Sequence, residues 1–324
     1  MSRYFYHSFP RIRPNYEYSH IIKDGLAILK SVKNSGLILA PEIVEWKQPL
    51  IDNSFRSVIN RQLRISFTEL DEKEVEEHGK RFGPFSLEFK IDDLRRIGAL
   101  PVMYIPQHLG QSDFSSVGSA IVAQTHDIKY TINQLQQLKQ FLDIDYLKTI
   151  IPNAESISPD AVFNLRNVDD KNNNAVVQEF QISFKTISDF LSYIGYRNAP
   201  FDLMTGILSL VQNLFYPTDD VIHDEILAYY RQREWRLNSG IALAGKNQTR
   251  KLNSQEKKNL LNINAFFWNR ELRDGNLSTK RVDEATVIEA FEGKHISEYI
   301  KTIRVPEEAF KEAEKIFGDK VLRV

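Results

Sequence analysis

The spacing of apolar side chains divides the first part of the chain into strands and helices. Residues 4–8 are aromatic and alternate with polar positions, which is typical of a short strand. Apolar residues at helical spacing then predict a helix over 21–32, and Gly36 is placed to end it. In residues 63–68 apolar and polar side chains alternate at period two. A second strand with its polar side chains on one face is therefore predicted.

Later stretches repeat this pattern of short strands and capped helices. A Phe-Gly-Pro turn leads into a predicted strand at 85–89, and residues 92–97 predict a short helix that Gly98 ends. Residues 234–237 are typical of a strand at the edge of a sheet, and residues 299–305 predict a last strand. Pro306 then begins a helix. The buried face of that helix is predicted to hold Ala309, Phe310, Ala313, Ile316 and Phe317.

The middle of the chain is less regular. Over 152–174 the apolar pattern fails and the composition is typical of an exposed loop, while 246–264 is polar and predicts a loop with a short helix. We therefore predict an α+β fold with a mixed sheet core. Residues 1–324 would form one elaborated domain, with helical and loop inserts at about 111–225 and 246–290.

The amino-acid composition of the chain limits the classes of function that are compatible with it. Hydrophobic residues make up 42% and charged residues 26% of the chain, which is typical of a folded globular protein. A formal net charge of −1 provides no global field for nucleic acid or anionic lipid. The absence of cysteine excludes disulfides, thiolate nucleophiles and cysteine-based metal sites. Neither a secretory signal nor an apolar run long enough for a membrane helix is visible, so we expect a cytoplasmic protein without a membrane partner.

Common catalytic motifs are missing from the sequence. It contains no Walker sequence, no GxGxxG after a strand, no HExxH and no GxSxG. Residues 219–225 cluster four acidic residues with His223, as a carboxylate and histidine metal site would. A solvated loop before a helix accounts for the same residues, because acidic side chains favour helix N-termini. We expect no metal site, and a metal-dependent nuclease is the weakest alternative.

The more suggestive residues are distributed over three predicted strands. The first strand carries a histidine and a serine, the second an arginine, a serine and a threonine, and a late strand carries a glutamate two residues before an arginine. Side chains two residues apart share one face of a strand. The candidate site residues are His7, Ser8, Arg64, Ser66, Thr68, Glu234 and Arg236.

A series of short segments, taken in order, resembles a known family. The segments are Tyr6-His7, 25–29, 34–37, 65–70, His78, 82–87, 98–104 and 233–236. Their order and spacing resemble the abortive-infection phage-resistance proteins of the AbiGi type. The resemblance implies a phage-defence or toxin–antitoxin setting, with a cognate toxin, antitoxin or phage protein as partner.

The strand-borne residues also resemble the site of ADP-ribosyltransferases, although no tyrosine stands in the middle motif. This resemblance implies NAD as a substrate, with His7 and Ser8 at the cofactor ribose and the strand of Ser66 and Thr68 against the nicotinamide. Glu234 would lie beside the reacting ribose carbon. A carboxylate there stabilises the positive charge that develops as the bond to nicotinamide breaks.

The second resemblance also implies roles for two arginines and the nature of the acceptor. Arg64 or Arg236 would pair with the NAD pyrophosphate. The acceptor would be a macromolecule, and nucleic acid is one candidate because five cations between 246 and 258 would make a local basic surface. These cations are Lys246, Arg250, Lys251, Lys257 and Lys258.

Structural roles account for the same residues. His7 would be a strand histidine with satisfied hydrogen bonds, and Glu234 with Arg236 would form a structural ion pair beside a buried Trp235. Under that interpretation the protein is a non-catalytic antitoxin or sensor that acts by binding another protein.

Overall fold

The computed structural model describes most of the chain, which divides into two compact units. Met1–Ala123 with Leu210–Val324 form the first unit, and Gln124–Ser209 form the second, inside the predicted insert at 111–225. The described residues are 3–11, 16–49, 55–107, 121–132, 134, 162–169, 175–183, 185–186, 189, 200–219, 233–239, 242–243, 246–274 and 277–324.

Strands outnumber helices in the described parts of the chain. The first ten strands are β1 (Arg3–Phe9), β2 (Leu37–Pro49), β3 (Phe55–Asp71), β4 (Phe85–Phe89), β5 (Leu100–Pro101), β6 (Met103–Gln107), β7 (Val162–Asp169), β8 (Ala175–Ser183), β9 (Phe215–Asp219) and β10 (Glu234–Asn238). The later strands are β11 (Ala242–Leu243), β12 (Lys246–Asn247), β13 (Arg250–Lys251), β14 (Glu271–Asp274), β15 (Leu277–Lys280), β16 (Thr286–Ile288), β17 (Ala290–Phe291), β18 (Lys294–His295), β19 (Ile300–Val305) and β20 (Val321–Arg323). The helices are α1 (Tyr18–Ser35), α2 (Val75–Phe82), α3 (Ile91–Ile97), α4 (Pro200–Leu214), α5 (Ser254–Trp268), α6 (Arg281–Glu284) and α7 (Phe310–Phe317), and residues 121–132 are also helical.

The first unit is built on an open, mixed sheet of ten strands. Its order is β13-β16-β2-β3-β1-β4-β19-β20, and β10 pairs with both β3 and β5. The pairs are antiparallel except β19 with β20, which is parallel. The predicted combination of helices with a mixed sheet is confirmed.

One face of this sheet is apolar and carries the main core. The period of two along β3 places Leu63, Ile65 and Phe67 on that face. Helices α1, α3 and α7 add buried residues to the same core, including Leu29 and Leu94. Helix α1 approaches β4 so closely that a Cβ on Gly25 would lie 2.2 Å from the Phe85 ring.

The opposite face of the sheet is polar, and its side chains are buried or half-buried. We call it the polar face and define it by Ser8, Arg64, Ser66, Thr68, Ser86, Glu88, Glu234 and Arg236. Helix α2 covers one part of it through Val75, which packs with Tyr6 and Leu70. Strands β6 and β9 contribute Ile105 and Phe215 to another apolar cluster, which includes Trp46 of β2. These two strands bring tyrosines beside the polar face.

Several elements differ from the sequence prediction. Residues 254–268 form the helix α5, which is broken at Asn264, rather than one short helix, and Asn253 and Glu256 form a capping box at its start. Residues 162–169, where the sequence predicts a loop, form β7 because they pair with β8. Strand β2 extends to Pro49 through its pairing with β3. Both strands form by pairing with a neighbouring strand. The local sequence pattern does not reveal that neighbour.

None of the helices in the described part of the chain is long and apolar enough to cross a membrane.

Candidate functional site

Strand β10 brings the late candidate residues to the polar face. In the antiparallel register with β3, Glu234 lies opposite Thr68, and Arg236 lies opposite Ser66. Directly opposed residues of an antiparallel pair share one face of the sheet. Glu234, Arg236, Ser66 and Thr68 are therefore brought together although 168 residues separate Ser66 from Glu234 along the chain. The predicted shared face of Glu234 and Arg236 is confirmed.

Glu234 is the centre of a dense hydrogen-bond network. Its Oε1 accepts hydrogen bonds from Ser66 Oγ at 2.6 Å and from Arg236 Nε at 2.8 Å. Its Oε2 accepts a hydrogen bond from the Tyr104 hydroxyl. The side chain of Glu234 is 13% exposed. Burial by itself would raise the pKa of Glu234, but the Arg236 charge and these hydrogen bonds hold the pKa below its ordinary value. Glu234 is therefore an ionised carboxylate at neutral pH.

Two arginines share one tyrosine beside this carboxylate. The guanidinium carbons of Arg64 and Arg236 each lie 4.9 Å from the centre of the Tyr216 ring. Arg236 is only 1% exposed, and burial lowers its pKa although Glu234 opposes that effect. Arg64 pairs with Glu42. Each arginine thus has a carboxylate partner and an aromatic surface.

A glutamine connects the two arginines to the neighbouring backbone. Gln62 Oε1 accepts a hydrogen bond from Arg64 at 2.7 Å and one from Arg236 at 3.4 Å. Its Nε2 donates to the carbonyl oxygens of Gln212 and Phe215. The network is consequently tied to the chain segment that leads into β9.

Tyr104 and Tyr216 were missed by the sequence prediction. They lie opposite each other in the parallel pair of β6 and β9, with ring centres 6.2 Å apart and nearly perpendicular. Burial, together with the neighbouring Glu234 charge and hydrogen bond, raises the pKa of Tyr104. Tyr104 lies in one of the segments that carry the family resemblance, but nothing in its local sequence indicates that it contacts Glu234.

A second polar group on this face contains Ser8 and Thr68. His78, on α2, is within 3.1 Å of Ser8 Oγ through Nδ1 and within 3.0 Å of Thr68 Oγ1 through Nε2. Ser8 Oγ is also 2.8 Å from Ser86 Oγ. Burial, with a smaller effect of His7, lowers the pKa of His78 to about 4. A neutral imidazole therefore joins α2 to β1 and β3 at pH 7.

His7 lies on the opposite side of the sheet from the other candidates. Its ring lies 5.8 Å from that of Phe9 and 5.7 Å from that of Phe67, both on the apolar face. Nδ1 donates a hydrogen bond of 2.8 Å to the Ser66 carbonyl oxygen. Burial lowers the pKa of His7, and the bond to Ser66 only partly offsets this. Adjacent residues of a strand point to opposite faces, so His7 and Ser8 do not share a site.

The predicted acidic cluster at 219–225 lies outside the residues whose side chains are described. Over the described side chains, no three His, Asp or Glu residues are grouped so that they could hold a metal ion. A crevice of about 510 Å³ between Lys90, Glu292 and Lys301 contains none of the candidate site residues. Its Arg96 pairs with Glu292, and the ammonium group of Lys320 is used by three backbone carbonyls.

No known family model, curated protein or solved structure matches this chain. The arrangement of side chains described above is therefore the basis for a functional assignment.

Proposed function

We propose that this protein is an ADP-ribosyltransferase-like enzyme of a phage-defence or toxin–antitoxin system that acts in the cytoplasm. It would transfer ADP-ribose from NAD to a macromolecule, with Glu234 as the catalytic carboxylate. The observation that supports this best is an ionised glutamate on a strand, held between a serine hydroxyl and an arginine. The succession of segments resembling the AbiGi type supports the biological setting.

The chemistry uses the charge of Glu234. The bond between the nicotinamide nitrogen and the ribose carbon breaks, and nicotinamide leaves with the bonding electrons. A hydroxyl or amine of the acceptor attacks the same carbon and releases its proton to water. Glu234 stabilises the positive charge on the ribose, because a fixed carboxylate in a poorly hydrated site interacts strongly with that charge. Its lowered pKa keeps it charged at neutral pH.

The remaining candidates take supporting roles on the polar face. Arg236 and Ser66 orient Glu234 through hydrogen bonds of 2.8 and 2.6 Å. Arg64 would exchange its partner Glu42, whose side chain is 43% exposed, for the NAD pyrophosphate. Ser8 and Thr68 would line the same face. His7 projects from the other face, so an NAD molecule bound beside Glu234 would not contact it.

The experiment that tests this proposal is calorimetric titration with NAD. Wild type, Glu234→Gln and His7→Ala are compared, and circular dichroism confirms that each variant is folded. We expect wild type to bind NAD at micromolar concentration. We expect that Glu234→Gln no longer releases nicotinamide from NAD. If NAD lies on the polar face, His7→Ala keeps its affinity. Absence of wild-type binding at millimolar NAD would contradict the transferase assignment.

A second candidate function is a non-catalytic antitoxin or sensor that acts by binding a partner protein. The observation that favours it is that donors within the chain already occupy both oxygens of Glu234. Under this function the network is a structural element, and NAD does not bind. The biological effect of Glu234→Gln would then equal that of wild type in a phage-infection assay, provided that the variant folds.

A further inference from the structure

The crevice of about 510 Å³ lies where α3 meets the β17–β18 hairpin and the start of β19. Its volume is in the range of pockets that hold small molecules. Among the described residues that line it, five are cations and three are acids. A lining so rich in charge disfavours an apolar ligand, because charged groups keep their water unless a polar or charged partner replaces it. The crevice therefore fits a charged ligand.

Two of the five cations are neutralised by acids of the protein. Arg96 pairs with Glu292 and also lies 3.7 Å from Asp93. The ammonium group of Lys301 lies 2.7 Å from Glu88, whose side chain is buried. These three carboxylates are therefore committed to cations within the chain.

The other three cations keep their charge. Among the residues that the structure describes, no carboxylate lies within ion-pair distance of Lys90, Lys294 or Lys320. Lys320 donates hydrogen bonds of 2.8 to 3.3 Å to three backbone carbonyl oxygens, which fix its ammonium group without neutralising it. Glu298 is the one lining acid without a cation at ion-pair distance in the described part of the chain, and it accepts a hydrogen bond of 3.1 Å from the His295 N–H. Positive charge is consequently in excess.

Contacts within the protein hold the walls of the crevice in place. The Tyr299 hydroxyl donates a hydrogen bond of 2.9 Å to the Phe291 carbonyl oxygen of β17. Glu292 adopts a φ of +48°, which is uncommon for a residue with a side chain, and its ion pair with Arg96 connects the hairpin turn to α3. A site that is formed before its ligand arrives loses little conformational entropy on binding.

We propose that this crevice binds a small molecule that carries a diphosphate or triphosphate group. Lys90 and Lys294 contact the phosphates, and Lys320 adds a fixed positive charge. Lysine binds phosphate as a point charge, and linked phosphates provide the negative charge that the excess of lysines requires. The inference is independent of Glu234 and of the proposed transferase activity, because the crevice contains none of the candidate site residues.

Isothermal titration calorimetry of the full chain tests this site. The probes are tripolyphosphate, ATP and citrate, each at about 50 mM salt so that the charges are weakly screened. We expect tripolyphosphate to bind at submillimolar concentration and citrate, whose charges are carboxylates, to bind more weakly. Equal affinities for ATP and tripolyphosphate would show that only the phosphates are recognised, and a higher affinity for ATP would show that the ligand is a nucleotide.

Substitutions inside the crevice should change the affinity in opposite directions. Lys90→Gln and Lys294→Gln should each weaken the binding of tripolyphosphate by about tenfold, as expected for loss of one charged hydrogen bond. Glu298→Gln should strengthen it by about two- to fivefold, because the repulsion by the carboxylate is lost. The amide oxygen of the glutamine still accepts the hydrogen bond from the His295 N–H.

An exposed lysine outside the crevice provides the matched control. Lys258→Gln on α5 removes the same charge, and the affinity should not change. Circular dichroism confirms that each variant is folded. The proposal is overturned if neither tripolyphosphate nor ATP binds at millimolar concentration, or if citrate binds as tightly as tripolyphosphate. It is also overturned if Lys90→Gln and Lys294→Gln weaken binding no more than Lys258→Gln does.

Discussion

Donors from three strands fix the carboxylate of Glu234, and this is the main feature of the site at the scale of single residues. Ser66 comes from β3, Arg236 from β10 itself and Tyr104 from β6. The stability of the ionised form of Glu234 in such a poorly hydrated site depends on each donor, because a lost hydrogen bond is not replaced by bulk water. The contributions of the individual donors are therefore measurable.

Removing the Tyr104 hydroxyl should raise the pKa of Glu234. Tyr104→Phe deletes the hydrogen bond to Oε2 but keeps the ring, so the ionised form loses stabilisation. We expect a higher pKa, measured by carbon-detected NMR of labelled glutamate, and a loss of about 1–3 kcal/mol in the free energy of unfolding. Tyr18→Phe, on an exposed tyrosine, is the control. An unchanged pKa in Tyr104→Phe would show that this hydrogen bond does not hold the charge.

His78 should make stability depend on pH in the weakly acidic range. Its folded pKa of about 4 lies below the ordinary value of 6.5, so the unfolded chain binds more protons between these values. The contribution of His78 to the free energy of unfolding is therefore fully present above pH 6.5, and it decreases as the pH falls toward 4. Urea unfolding at about pH 7.5 and about pH 4.5 should show a smaller decrease for His78→Gln than for wild type. Equal decreases would mean that the pKa of His78 is not lowered.

At the scale of elements, the helix ends illustrate what a local pattern can predict. Gly36 adopts a φ of +110° at the end of α1, and Gly98 adopts +113° at the end of α3. Both stops were predicted, because few residues other than glycine adopt these angles. The extent of α5 was underestimated, since its capping residues Asn253 and Glu256 lie in a stretch whose polar composition hides the helical period.

The cap of α5 should contribute measurably to stability. Asn253 Oδ1 accepts a hydrogen bond of 2.9 Å from the Glu256 N–H, and Glu256 accepts one of 2.8 Å from the Asn253 N–H. Asn253→Ala should lower the free energy of unfolding by about 1 kcal/mol. Ser254→Ala, one residue later, has no part in this box and should have a smaller effect. Chemical denaturation of both variants makes the comparison.

The packing of α1 on β4 should not accept a larger residue at position 25. A Cβ on Gly25 would lie 2.2 Å from the Phe85 ring, while a Cβ on Gly79 of α2 would meet nothing within 4 Å. Gly25→Ala should destabilise by about 1–3 kcal/mol because the helix or the ring must shift. Gly79→Ala should instead be neutral or stabilise by up to about 1 kcal/mol through helix propensity. Stabilisation by Gly25→Ala would contradict the close approach of α1.

At the scale of the whole molecule, β3 connects the sheet with the site. It pairs with β2, β1 and β10, and it separates the apolar core from the polar face. Its polar side chains lie beside Glu234, whereas its apolar side chains pack in the core with the helices. Stability and the geometry of the candidate site therefore depend on the same strand.

Hydrogen exchange should follow this organisation. Amides in β1, β3 and β4 belong to central strands that carry buried core residues and have a neighbouring strand on each side, so they should exchange most slowly. The terminal strands β13 and β20 have only one neighbour in the sheet and should exchange much faster. Mass spectrometry of peptic fragments measures this order. Protection of β20 equal to that of β4 would contradict a sheet that ends there.

Alternation along a strand is sufficient to assign its side chains to one face of the sheet or the other. Alternation along β3 placed Arg64, Ser66 and Thr68 together, and the two-residue spacing placed Glu234 beside Arg236. The same rule separates His7 from Ser8, because neighbouring strand residues point in opposite directions, but the sequence prediction placed both residues in one site. These assignments follow from the local geometry of the backbone, because successive side chains of any strand point to opposite faces of the sheet.

Which strands lie side by side depends on the fold of the whole chain. The register of β10 on β3 brings Glu234 to Ser66, and the pairing of β6 with β9 brings Tyr104 and Tyr216 to the same place. Such contacts join residues that are distant along the chain, so no local spacing encodes them. They arise because burying the apolar face of the whole sheet selects one arrangement of strands, and the polar contacts follow from that arrangement.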